Sequence, residues 1–167
     1  DVAQHPEVDA AVDDIVNEAI VYEDDEKIVQ IVLDDVKGIS ESTKKIITSE
    51  FENILELLSF NQQAYEIFKR FYIDGRLYYH MVIDNANLKD GIKEMRYLDP
   101  RKIRKVREVK KEKDPRTGVE MVTVTNEYYI YNDKVVSGTS SSYGPVGIRI
   151  AKDAIINVNS GLMDSRS

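Results

Sequence analysis

At Asp74-Gly75 the hydrophobic period of the chain changes, and that change limits the folds open to it. Upstream, Ile47, Phe51, Ile54, Leu55 and Leu58 form one apolar stripe and Ala64, Ile67, Phe68 and Phe71 another. Apolar residues three and four apart are the mark of amphipathic helices. Downstream, Leu77, Tyr79, Met81 and Ile83 alternate with Tyr78, His80 and Val82, the period of a strand. Gly75 suits the left-handed end of a helix or a tight turn at such a junction. Helices first and a run of strands afterwards indicate an α+β fold. The expected order is N-terminal helices with one early strand, then a mainly antiparallel β region with a long hairpin.

Local signals place the elements. His5-Pro6-Glu7 opens the first helix, with proline at its first position and acids near its N-terminus. Val8, Val12, Ile15 and Ala19 supply its stripe, widened by Ala11 and Val16. Asp9, Asp13, Asp14 and Glu18 fall mainly on the outer face. Glu23-Asp24-Asp25-Glu26 reads as an acidic turn. Ile28–Leu33 is apolar at nearly every position, the pattern of a strand buried on both faces, and Asp34-Asp35 ends it. Ser40 is the expected N-cap of the second helix and Asn61 that of the third. Strands follow at Arg76–Ile83 and Ile92–Leu98, joined by a turn over Asp84–Gly91. Asp99-Pro100 ends the second strand; with Asp capping and Pro at the first position, it predicts one helical turn through Ile103.

A basic strand then runs to about Glu112. Asp114-Pro115-Arg116-Thr117-Gly118 is a hairpin-turn signal, and Val119–Tyr131, rich in Val, Thr and Tyr, is the return strand. After a turn at Asn132-Asp133, Ser137–Gly147 is a polar, glycine-rich loop, expected to be mobile. Ile148–Ile150 and Ala154–Val158 read as short strands around a turn at Lys152-Asp153. One domain is expected: a mainly helical part over 1–75, a β-rich part over 76–158 and a polar tail over 159–167. The start at Asp1 without methionine and the Ser/Gly-containing tail read as an excised piece of a longer chain.

Catalytic chemistry finds little to work with. There are no cysteines, which excludes disulfides, thiolate zinc sites and a cysteine nucleophile. Of the two histidines, His5 sits at a helix start and His80 lies mid-strand between aromatics, as a packed strand histidine does. Gly138, Gly144 and Gly147 lack the spacing of a phosphate-binding loop. Asp13/Asp14, Asp24/Asp25 and Asp34/Asp35 lack the alternating oxygen ligands of a cation loop, and read as solvated turns and helix faces. Asp84 and Glu94 with nearby lysines have the residue types of a metal-dependent nuclease, although acids at turn edges are common. No catalytic, cofactor or metal residue is assigned, and no apolar run is long enough to span a membrane.

Charge is the remaining signal. The net charge of the whole chain is -7, unlike a typical nucleic-acid binder. Yet Arg101, Lys102, Arg104, Lys105, Arg107, Lys110, Lys111 and Lys113 are eight of the 23 basic residues. Segment 101–113 carries +6 and the remainder -13. Three readings stand: an edge strand protected by its charges, a docking surface for an acidic partner or neighbouring subunit, and contact with phosphates. Aromatic residues of the kind that stack on single strands are absent from the segment. On a strand, Lys105 and Arg107 share a face with Ile103 and Val109, while Arg104 and Glu108 lie on the other with Val106.

Three stretches carry a resemblance: HPEVDAAVDDIVNEAIV (5–21), FKRFYIDGRLYYHMVID (68–84) and EMRYLDPRKIRKVREVKKEK (94–113). Together they resemble the portal proteins of T4-like tailed bacteriophages over most of the chain. "IDGRLYYH" and "RYLDPRKIRKVREV" are the more specific strings; the loop 137–147 carries none of the likeness. The resemblance implies a structural subunit of the virion. Such subunits form a dodecameric ring at one capsid vertex; they contact capsid and scaffold proteins, terminase and neck proteins, and DNA passes through the channel. It further implies the wing region of a subunit, with 159–167 leading toward the first stem helix. The clip and the long stem and crown helices are not in this sequence. The isolated chain is expected to be monomeric or weakly associating. The alternative is a nucleic-acid-binding module using 101–113.

Overall fold

The computed structural model of the chain describes residues 5–21, 27–133 and 147–161. The expected acidic turn at Glu23–Glu26 and nearly all of the loop over Ser137–Gly147 lie outside these residues. Two compact units are formed. One comprises Asp1–Arg76, Lys93–Met95 and Asn159–Ser167; the other comprises Leu77–Ile92 and Arg96–Val158.

The first unit carries three helices: α1 (Pro6–Ala19), α2 (Glu41–Leu57) and α3 (Phe60–Asp74). α1 starts as expected, with proline in its first turn. Val16 is fully buried and Val12 nearly so; on α3, Ala64 is 2% exposed, a small residue that allows close helix approach. Asp9 and Asp13 do not point outward. Both reach Lys69 of α3, at 2.9 and 2.5 Å, and the Tyr65 hydroxyl donates to Asp13 at 2.6 Å. The Lys69 ammonium, then the Tyr65 hydroxyl, hold the Asp13 carboxyl below its ordinary range. Only the other acids of α1 keep the outer face.

Ser40 caps α2 as predicted, its hydroxyl accepting from the Thr43 N–H. α2 nevertheless buries no residue: Ile54 is 40% exposed, and Ile47, Phe51, Leu55 and Leu58 are only half-buried. The N-cap of the helix after it is Ser59 rather than Asn61. Ser59 sits in the left-handed region at φ 47, the turn that separates α2 from α3. Gly75 ends α3 at φ 66, its N–H bonded to the Phe71 carbonyl. This is the left-handed cap expected from sequence.

The early strand over Ile28–Leu33 is not formed. A strand needs a ladder partner, and among the described residues this segment has none: its one backbone bond is the Leu33 carbonyl accepting from Val36. Ile31 and Leu33 instead line shallow grooves along α2, beside Thr48, Phe51 and Leu55, while Val32 stays 64% exposed. An apolar run without alternation cannot by itself distinguish a paired strand from a segment laid against a helix.

The second unit holds most of the strand residues, in β1 (Arg76–Ile83), β2 (Ile92–Leu98), β3 (Ile103–Lys113), β4 (Glu120–Tyr131), β5 (Ile148–Ala151) and β6 (Ile155–Asn159). They form two three-stranded sheets, ordered β2-β1-β6 and β3-β4-β5. Helices precede the strand region, so the α+β order holds. The two sheets share one core of Tyr78, Leu98, Ile103, Tyr129 and Ile155. Within it the rings of Tyr78 and Tyr129 meet edge to face, centroids 5.9 Å apart, a favourable aromatic geometry.

The joint at Asp99-Pro100 is a hydrogen-bonded turn, not a turn of helix. Lys102 N–H bonds the Asp99 carbonyl at 2.9 Å, and Ile103 already belongs to β3. The Asp99 carboxylate accepts from the Arg101 N–H at 2.9 Å and from its guanidinium at 2.8–3.2 Å. An aspartate that bonds the backbone two residues on closes a turn by itself. The same Asp-Pro pair therefore serves a turn as well as a helix start. The hairpin turn is as expected: Gly118 at φ 69, with Asp114 accepting from the Arg116 N–H at 2.8 Å. Among the described residues no helix is long and apolar enough to cross a membrane.

Candidate docking surface

β3 and β4 pair antiparallel along their whole length, from Ile103 opposite Tyr131 to Lys113 opposite Glu120. The register slips once. Glu108 faces Asn126 but Val109 faces Val124, so Thr125 is passed over, and its hydroxyl donates to the Glu108 carbonyl at 3.0 Å. β5 pairs with β4 only at Tyr128–Tyr131. Beyond that the ladder among the described residues is two strands wide, and a bare two-stranded ribbon is marginal in water.

The eight predicted basic residues fall into two groups along this ribbon. Five of them are paired internally. Arg101 binds Asp99 at 2.8 Å and Lys102 binds Asp133 at 3.0 Å. Lys105 and Arg107 converge on Glu127 at 3.2 and 2.8 Å, joined there by Lys152 at 2.6 Å. Lys110 pairs with Glu112 along its own strand. Arg104, Lys111 and Lys113 make no ion pair among the described residues. Arg104 lies on the opposite face from Lys111 and Lys113.

Glu127 is the residue that sequence reasoning missed. Its partners are 20 to 25 residues away in sequence and become neighbours only through strand pairing. Lys152, then Lys105, hold its carboxyl down to about 2 from the usual 4.5. A carboxyl depressed in the folded state contributes stability above its unfolded pKa and loses it as the pH falls through the folded value. Stability drawn from Glu127 is therefore complete above about pH 4.5 and drains away toward pH 2. Thermal melts between pH 2 and pH 5 should show the Glu127→Gln variant less sensitive to acid than the parent. At pH 7 the variant should melt lower, because three cations lose their shared anion.

Alternation along β3 puts Ile103, Lys105, Arg107, Val109, Lys111 and Lys113 on one face. Ile103 lies in the core, so this is the core-forming face. Past the Glu127 cluster it continues into solvent, where Val109 is 49% and its same-face neighbour Val122 57% exposed. Val119 and Met121 are also exposed at the hairpin end. The result is an apolar strip flanked by Lys111 and Lys113, which make no ion pair among the described residues. It is shaped like the continuation of a core and has nothing over it among the described residues.

The other candidates do not assemble into chemistry. Asp84 caps its own turn, accepting from the Ala86 N–H at 2.8 Å. His80 lies half-buried in β1. Among the described residues no group of three or more His, Cys, Asp or Glu could hold a metal ion.

The sequence profile of the family described as Bacteriophage T4-like portal protein (Gp20) matches residues 1–167. The chain belongs to the T4-like portal family. Among its relatives is the portal protein of Vibrio phage KVP40, 41% identical over 165 residues, covering 96% of this chain and 31% of the relative. The portal protein of Salmonella phage ViI is 39% identical over 168 residues, covering 95% of this chain and 30% of the relative. The chain thus spans about three tenths of the length of these portal proteins. Most of the basic string is already neutralised from within.

Proposed function

We propose that residues 1–167 are the wing region of a portal subunit, a structural part of a dodecameric ring at one capsid vertex. In this reading the complete protein passes DNA through the ring's channel during packaging and ejection. It also nucleates head assembly with capsid and scaffold proteins and docks terminase and neck proteins. This region serves assembly rather than catalysis or DNA contact, and its place of work is the virion. The match of the whole chain to the portal family carries the proposal. It is supported by an exposed strip on the β3–β4 hairpin, with Val109, Lys111, Lys113 and Val122, that nothing covers among the described residues.

The test uses the complete portal polypeptide containing these residues. Lys111→Glu with Lys113→Glu should lower the fraction of protein in rings in sedimentation velocity and leave the subunit's melting temperature nearly unchanged, since neither lysine makes an ion pair among the described residues. Arg104→Glu, on the opposite face, should assemble as the parent does. Normal ring formation by the double variant would remove the docking assignment.

A further inference from the structure

The uncovered hairpin face calls for a partner that is acidic and partly apolar. α1 has this character. It holds five acids, Glu7, Asp9, Asp13, Asp14 and Glu18, and no basic residue. Lys69 occupies Asp9 and Asp13. Glu7, Asp14 and Glu18 are exposed and make no ion pair among the described residues. Helical spacing of four, three, one and three places Glu7, Ala11, Asp14, Ile15 and Glu18 on one stripe. Ala11 is exposed and Ile15 is 39% exposed. The buried stripe through Val12 and Val16 points elsewhere.

We infer that the distal face of the β3–β4 hairpin of one subunit docks on the outer stripe of α1 of a second copy. The inference rests on the portal-ring reading above and names the two surfaces that meet. Lys111 and Lys113 oppose Asp14, Glu18 and Glu7, while Val109 and Val122 lie against Ile15 and Ala11. The dimensions agree: five strand residues from Val109 to Lys113 extend about 13 Å, and Glu7 to Glu18 on a helix about 16 Å. The two surfaces differ, so the contact is head-to-tail. Contacts of that kind generate closed rings when the rotation closes. Each subunit would use both surfaces once. A single contact of this size is weak, and closure of the ring supplies the reinforcement. A weakly associating isolated chain fits the same arrangement. Charge pairs at the edge of an apolar strip also fix which surfaces meet, and a second hairpin face, itself basic, would be repelled.

Charge exchange in the complete polypeptide tests the pairing. Asp14→Lys with Glu18→Lys should lower the ring fraction about tenfold or more at low salt, as Lys111→Glu with Lys113→Glu should. The four substitutions together should restore most of it. A second measurement does not depend on that rescue. In a background with other cysteines replaced, Ile15→Cys with Val122→Cys should give a disulfide ladder of linked subunits from assembled rings. A ladder, with rescue by the exchanged charges, supports the contact. If the hairpin variant fails to assemble but exchange does not rescue it and no ladder forms, α1 is not the partner and only the docking reading stands. If the hairpin variant assembles normally, both readings fall. Circular dichroism melts of each variant separate lost contact from lost fold.

Discussion

Replacing Tyr129 with alanine is expected to cost about 3–5 kcal/mol of stability in the strand unit, the range for truncating a large buried aromatic. The ring is 5% exposed and is shared by both sheets. It touches the cluster of Tyr78, Leu98, Ile103 and Ile155 and meets Tyr78 edge to face. Burial raises the ionisation of its hydroxyl above the ordinary phenol range, and the hydroxyl interacts with Asn157. Tyr129→Phe keeps the ring and loses only that hydroxyl, so it should cost about 1 kcal/mol. Urea unfolding of the two variants measures the ratio. Similar small losses for both would mean that the two sheets do not depend on this cluster.

Gly147→Ala should cost about 2–4 kcal/mol, through a different mechanism. Gly147 stands at φ 143 at the entry to β5, a conformation that residues with a Cβ rarely adopt. An added Cβ would lie 2.5 Å from the Tyr131 carbonyl oxygen and 2.7 Å from Ile130 Cγ2. The first of these is backbone within a paired strand and cannot swing aside. Gly91→Ala is the control. Its φ is 73 with ψ -150, a region kept almost entirely for glycine, but a Cβ there meets nothing within 4 Å, so only the conformational cost of about 1–3 kcal/mol remains. The excess at Gly147 isolates the clash. Amide exchange should locate the damage at Ile148–Ala151, whose ladder to Tyr128–Tyr131 begins beside it.

The readable parts of the fold were those written locally. Gly75 marked the change from helix to strand because a left-handed cap and a change of period coincide there. Asp114–Gly118 announced its turn through residues that each need that conformation. At Asp99-Pro100 the break was legible but its form was not, because Asp-Pro suits both a helix start and a side-chain-closed turn. Ile28–Leu33 misled because strand pairing is decided by partners distant in sequence. The candidate site shows the same division. The positive charge of 101–113 could be counted directly. Which cations remain available depends on Glu127, Asp133 and Lys152, and on the register slip at Glu108/Val109. Those pairings bring together residues from β3, β4 and the segments after β4 and β5. They leave Lys111 and Lys113 beside Val109 and Val122, a narrower surface than the basic string suggested.

Hydrogen exchange of the complete portal polypeptide, compared between assembled rings and dissociated subunits, tests the central claim most directly. Amides of 109–122 should exchange substantially more slowly in the ring, with matching protection along 7–18 if α1 is the partner. Equal exchange of 109–122 in both forms would contradict the assignment of the hairpin as an assembly surface.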